Sequence, residues 1–395
     1  MSIDTARDNR NREMMEAHGL DAVVCRLPEN VLLLAQYWPI SSAAWILYPR
    51  ESESTLIVME SKLDVPPDDA AGAVLTYRHG VLGTPDPYAS VERLLSEAIR
   101  GAGLERARIG IELGYESVAT GHTGGEVFVP AAASHGVVQR AAPEATLVDC
   151  VAVLDEARRR KSPREIDALK RCNAIAAFGL DYFHEACEPG RTEAEVASQV
   201  EAIIQARGIG YEGTAHVRAW AQLMSGARSA EAYSVHPATS ARRIEAGDLC
   251  VLELATVADG FWSDLTRTVV AGGSPTDRQL EMYGAVENAV ATTIMASRAG
   301  MKGETVDRIA REQVDERGFG DLFFHPTGHG LGFRYHETAP TLRPGSKDRV
   351  EDGAVTSIEP GLYIPDFGGM RLEQNVVFHE HGVEVLSLAS TSLTG

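Results

Sequence analysis

The sequence predicts two domains, an α/β unit over residues 1–155 and an α+β unit over 156–395 with helices laid on an antiparallel sheet. Three observations carry this. A chain of 395 residues is long for a single core. Its first part alternates short apolar runs with helical stretches. From residue 214 onward the chain becomes strand-rich, in apolar runs broken by Gly and Asp-Gly turn signals.

In the first part, residues 5–18 have helical spacing and Gly19 ends the helix. LDAVVC (20–25) reads as a buried strand, and 28–38 and 43–51 continue as short elements. Residues 52–60 read as a strand, 88–103 as an amphipathic helix with Gly after its last turn, and 107–113 as another strand. In the second part Ser162, Pro163 and Glu165 form the start signal of a helix over 161–190. On it Ile166, Leu169, Ala176 and Leu180 share one face. Residues 192–208 repeat the Thr/Glu capping signal, and two more helices fit 276–299 and 303–317.

Charge and composition exclude some functions. The formal net charge is −19, and the one basic run is Arg158-Arg159-Arg160-Lys161, so a nucleic-acid partner is not expected. The five cysteines, at 25, 150, 172, 187 and 250, are scattered without a CxxC, which reads as reduced thiols. The polar N-terminus does not read as a signal peptide, and no segment approaches the roughly 20 apolar residues of a membrane span. A cytoplasmic protein without a membrane partner is expected.

Acids and one histidine recur at Gly-rich strand ends: Asp264 in SDLTRT, His329 in TGHGLG, Glu359 in IEPGLY and Glu373 in RLEQ. Glu253 is a charge inside the apolar strand VLELATV. Asp259-Gly260 is a strong two-residue turn signal. With that turn, 255 pairs with 264 and Glu253 becomes a diagonal neighbour of Asp264 on one face. Two carboxylates so placed can grip a common cation, and without one they repel. The plainer account of Glu253 is an edge-strand residue or a salt bridge to an arginine such as Arg267. Glycines around His329 let backbone approach a site closely. The carboxylate and imidazole set suits one or two ions of Mn, Co, Fe or Zn.

These segments resemble the pita-bread fold family of aminopeptidase P, prolidase, methionine aminopeptidase and creatinase. RNREMMEAHGLDAVVCRLPENVLLLAQYW resembles the start of the creatinase-type N-terminal domain, and RRRKSPREIDALKRC the entry to the catalytic domain. MSGARSAEAYSVHPATSARRIEAGDLCVLEL, HPTGHGLGFRYHETAP, SIEPGLYIP and GMRLEQNVV are similar to the family's catalytic segments. The resemblance implies an Xaa-Pro peptidase-like hydrolase of a C–N bond in a short peptide or small molecule. It places the metal ligands at Glu253, Asp264, His329, Glu359 and Glu373, with Glu359 as general base and Asp264 and Glu373 between two ions. It places His236 and His336 on the substrate carbonyl and its tetrahedral intermediate. It implies a divalent ion, Mn or Co first, and a homodimer in which the N-terminal domain covers a cleft. Trp38, Trp220 and Arg334 are candidate substrate contacts.

The sequence departs from the family at one ligand. Metallo-members read Asp-x-Gly before the turn, where this chain has Glu253-Leu254-Ala255. The creatinase and ectoine-hydrolase branches lack an intact metal set and act on small nitrogen compounds. A metal-independent hydrolase of that kind is therefore the alternative, and an inactive protein-binding module is a third reading.

Overall fold

The computed structural model describes residues 4–40, 44–61, 65–68, 70, 72–79, 82–114, 132–234 and 238–394. The chain divides into two compact units, one reaching Arg158 and the other running on from Arg159. In the first, α1 (Thr5–Ala17), β1 (Ala22–Cys25), α2 (Pro28–Ala35), β2 (Trp45–Pro49), β3 (Thr55–Met59) and β4 (Ala73–Tyr77) come in order. They are followed by α3 (Pro87–Gly101), β5 (Arg108–Ile111), α4 (Ala132–Ala141), β6 (Thr146–Asp149) and α5 (Val151–Arg159). Among the described residues the strands form one mixed sheet, ordered β4-β3-β2-β1-β5-β6. Val24, Leu47, Ile57 and Ile109 from the sheet pack with Leu95 and Ile99 of α3 and Val137 of α4.

The second unit opens on α6 (Pro163–Ala186) and α7 (Glu193–Gly208). Both start in reciprocal capping boxes, Ser162 with Glu165 and Thr192 with Glu195. Next come β7 (Val217–Ser225), β8 (Leu249–Ala258) and β9 (Phe261–Val270), which pair as an antiparallel sheet in that order. Asp259 and Gly260 take φ of 46° and 89°, the left-handed values a tight hairpin requires, and so Ala255 pairs with Asp264.

Strand alternation then sorts the side chains of this sheet by face. Ala221, Leu223, Leu252, Leu254 and Leu265 meet Ile175 and Leu180 of α6 and Val200 and Ile204 of α7. Burying each such leucine contributes about 1.5–3 kcal/mol. The opposite face carries Gln222 beside Glu253 beside Thr266, and Trp220 beside Ala255 beside Asp264. The hydrophobic face anchors the sheet, and the polar face is left for chemistry.

The remaining elements are α8 (Asp277–Ala296), α9 (Gly303–Asp315), β10 (Gly328–Gly330), β11 (Glu337–Leu342), β12 (Val355–Ile358) and β13 (Gly361–Ile364). The last are β14 (Gly368–Arg371), β15 (Gln374–His379) and β16 (Gly382–Val385). Among the described residues β11-β10-β12-β15-β16 form one sheet and β13-β14 a hairpin. Pairing of β12 with β15 stops at Ile358–Gln374 and resumes at Gly361–Arg371 in the hairpin. The two strands thus leave one sheet for another together, at 359–360 and 372–373. Pro360, which has no N–H to donate, sits at that corner.

Candidate metal centre

The corner supplies two of the carboxylates. Glu359 and Glu373 are the residues at which the paired strands change sheets, and their backbone N–H groups turn aside to Thr327 O and Thr266 O. His329 comes from β10, where the register shifts between His329 and Gly330. A Cβ on Gly328 would lie 2.1 Å from Ser357 O, and one on Gly330 2.5 Å from Ala339 O. Only glycine permits that approach, which brings the imidazole against β12. Asp264 is fixed from β15: its N–H donates to Asn375 Oδ1 at 3.0 Å, and Asn375 Nδ2 donates to its carbonyl at 2.6 Å.

These elements converge on one buried cluster. His329 Nε2 lies 3.3 Å from Asp264 Oδ2 and 3.5 Å from Glu359 Oε1. His329 Nδ1 is 3.0 Å from Gly330 O, a contact in which Nδ1–H donates, so that the neutral ring would offer Nε2 to a metal. Ser357 links the two, its hydroxyl accepting from the His329 N–H at 3.1 Å and donating to Glu359 Oε1 at 3.0 Å. Thr266 Oγ1 lies 2.8 Å from both Glu253 Oε2 and Glu373 Oε2 and accepts from Arg371 Nε at 2.8 Å. Arg371 also pairs directly with Glu253 Oε2. The Tyr335 hydroxyl sits 2.5 Å from Glu253 Oε1 and 2.7 Å from Asp264 Oδ1.

Four carboxylates in so small a volume disfavour their own charge. Burial first and the Glu359 charge second push Asp264 well above the usual carboxylate range. Burial and then Glu373 raise Glu359 to about 8. Glu373 is raised by burial and then by Asp264, against the pull of Arg371. Burial and then Asp264 raise Tyr335 also, so its hydroxyl keeps its proton and acts as a donor.

The residues present fit a divalent cation. Glu373 is fully buried, and its Oε1 has no hydrogen-bond partner. A buried carboxylate oxygen in that state calls for a proton, a water or a cation to complete it. Ligand atoms lie within 4.8 Å of one another in three overlapping sets: His329, Glu359 and Glu373; Asp264, His329 and His336; and Glu253, Asp264 and Glu373. A cavity of about 200 Å³ opens beside them, walled by His336, Tyr233, His325 and Arg343 among others. The His336 ring stands 4.1 Å from that of His329.

Of the residues singled out in the sequence, Glu253, Asp264, His329, His336, Glu359 and Glu373 come together. His236 lies outside the described residues. Trp220 is 36% exposed on the same sheet face as Glu253 and Asp264, but is not among the residues that wall the cavity. Arg334 is not at the cavity: it is buried, in a turn closed by Gly332 N–H donating to Arg334 O. Trp38 is half-buried in the first unit, after α2. The arginine on Glu253 is Arg371, because Arg267 is spent on backbone carbonyls of Ser390, Thr266 and Glu373. The sequence reading passed over Tyr335, Thr266, Arg371 and Arg343. Alternation was the available signal for Thr266, two residues from Asp264, and for Arg371, two from Glu373.

Comparison with known proteins identifies the family. The family model for metallopeptidase family M24 matches residues 167–380. An Xaa-Pro dipeptidase of Pyrococcus furiosus is 35% identical over 61% of this chain and 66% of its own length. One of Lactobacillus helveticus is 31% identical over 60% and 62%. The matched stretch thus spans less than two thirds of these relatives. Among solved structures, an Xaa-Pro dipeptidase from Bacillus anthracis superposes with a TM-score of 0.77 at 25% identity, over 98% of this chain and 99% of that one. The prolidase from Pyrococcus horikoshii gives 0.75 at 26%, over 98% and 100%. With half of its length under the family model and the whole of it sharing the architecture of these structures, the chain belongs to metallopeptidase family M24 and has the pita-bread fold.

Proposed function

We propose that this protein is a hydrolase of the Xaa-Pro dipeptidase kind, cleaving the peptide bond before proline in a short peptide. The observation that carries this is the convergence of Asp264 Oδ2, His329 Nε2 and the unpartnered Glu373 Oε1 beside Glu359, at the floor of a small cavity. Asp264, His329, Glu359 and Glu373 would hold a divalent ion, manganese or cobalt first by the chemistry of the donors. Bound there, the ion supplies a Lewis acid that acidifies water and polarises a carbonyl.

The chain's own groups do the rest. Glu359 takes the proton of the attacking water and passes it to the departing proline nitrogen. His336, stacked near His329 at the cavity wall, hydrogen-bonds the substrate carbonyl as it becomes an oxyanion, with His236 as its expected companion. Arg343 lines the cavity and matches the free carboxylate of a dipeptide. Five free, buried cysteines support a reducing cytoplasm as the place of action. The family likeness supports a homodimer and a substrate-covering role for the first domain.

The test is hydrolysis of Xaa-Pro dipeptides by the purified chain before chelation, after chelation and after addition of Mn²⁺ or Co²⁺. Activity should vanish with the chelator and return with the ion. Full activity on any substrate after complete metal removal would instead favour the creatinase-like reading, for which the engagement of Glu253 by Arg371 and Tyr335 is the supporting observation.

A further inference from the structure

Family resemblance gives this cluster two ions, and the donor atoms do not divide that way. Both oxygens of Glu253 are already engaged by protein donors. Oε1 faces the Tyr335 hydroxyl at 2.5 Å, and Oε2 faces Thr266 Oγ1 at 2.8 Å together with the Arg371 guanidinium. The same Tyr335 hydroxyl oxygen lies 2.7 Å from Asp264 Oδ1 and the same Thr266 hydroxyl oxygen 2.8 Å from Glu373 Oε2, and each hydroxyl has one proton to donate to one carboxylate at a time. The oxygens that would surround an ion on the Glu253 side are thus turned to a phenol, a hydroxyl and a guanidinium. Those turned the other way are Asp264 Oδ2, facing His329 Nε2 at 3.3 Å, and Glu373 Oε1, which has no partner.

We propose that this chain holds a single divalent ion, on Asp264, His329, Glu359 and Glu373, and that Tyr335 and Arg371 permanently fill the place of a second. The inference rests on the metallohydrolase reading above and deepens it. An ion ligated by Glu253 and Asp264 would stand about 2.0–2.2 Å from each carboxylate. The phenol oxygen lies between those same two oxygens, at 2.5 and 2.7 Å. It cannot readily withdraw, because Tyr335 is buried, with its ring 5.9 Å from that of Trp262 and 4.5 Å from that of His336. Arg371 supplies the positive charge that the missing ion would have brought. It is held by Thr266 Oγ1 and Ala232 O, each at 2.8 Å. The extra methylene of Glu253, relative to the aspartate of metallo-members, gives its carboxylate the reach to meet Arg371 and Tyr335 together.

The test counts ions rather than turnover. Metal-free full-length protein is titrated with Mn²⁺ alone, followed by equilibrium dialysis and electron paramagnetic resonance. The wild type should saturate at one Mn²⁺ per chain, with an isolated-ion signal and no spin-coupled pair. Tyr335→Phe combined with Glu253→Asp should admit a second ion and show the coupled signal. Tyr335→Phe alone keeps the ring packing and guards against misfolding of the double variant; it should bind the second ion at least about tenfold more tightly than the wild type. Two ions in the wild type with affinities within about tenfold of each other overturn the proposal. A folded Tyr335→Phe chain with no gain in second-ion affinity overturns it as well. No bound ion at all overturns both this inference and the metallohydrolase reading, whereas one ion without Xaa-Pro hydrolysis leaves this inference standing and defeats only the substrate.

Discussion

The two sides of the carboxylate cluster are built from similar residues and are satisfied in opposite ways. On the Glu253 side both oxygens of Glu253 lie against groups of the chain, Oε1 at the Tyr335 hydroxyl and Oε2 at Thr266 and Arg371. On the His329 side Nε2 and Asp264 Oδ2 face each other at 3.3 Å, and Glu373 Oε1 has no hydrogen-bond partner. One side is a finished ion-pair network and the other awaits a ligand. Residue type alone does not distinguish a structural acid from a ligating one; what does is whether its lone pairs are already taken.

The sharpest break in that comparison is on the finished side. Arg371→Ala leaves Glu253 buried opposite no cation, and such a loss costs about 3–5 kcal/mol. The metal-free variant should melt well below the wild type in a thermal scan, and an unchanged Tm would show the network to be unimportant for stability. On the open side, His329→Ala removes the nitrogen ligand and its contacts with Asp264 and Glu359 at 3.3 and 3.5 Å, while the Arg371–Glu253 pair stays intact. Metal affinity measured by dialysis should fall by more than about 100-fold while the metal-free Tm changes little. A smaller effect follows from the raised acids. Glu359 moves from the ordinary 4.5 to about 8 in the folded chain. Its contribution to stability is therefore fully present below pH about 4.5 and is lost as pH rises through about 8. The metal-free Tm should decline over that window, and saturating Mn²⁺ should flatten the decline. A metal-free protein equally stable at both ends would contradict the burial of these charges.

Much of this site was legible in the chain. Asp259-Gly260 set the β8–β9 register, and that register alone placed Glu253 and Asp264 on one face. The capping residues Ser162 and Thr192 located the two helices that carry the opposite face. Tyr335 was not legible, since a tyrosine beside a histidine in a loop has no periodic signal, and its role depends on where three separate segments meet. Arg334, two residues before His336, is buried in the turn and does not line the cavity that His336 walls. Elements α4 and β6 escaped notice because 132–149 is short and weakly patterned.

The paired corner at 359–360 and 372–373 has a kinetic consequence. Glu359 and Glu373 are spaced by ladder pairs on both sides, Ile358–Gln374 and Gly361–Arg371. Neither can drift from the other without unzipping a sheet. These two carboxylates are therefore held in fixed relation to each other by the backbone itself. How fast the protein charges with metal should be set by how fast each kind of ion sheds its water, so that rapidly exchanging Mn²⁺ enters well ahead of slower ions of equal affinity.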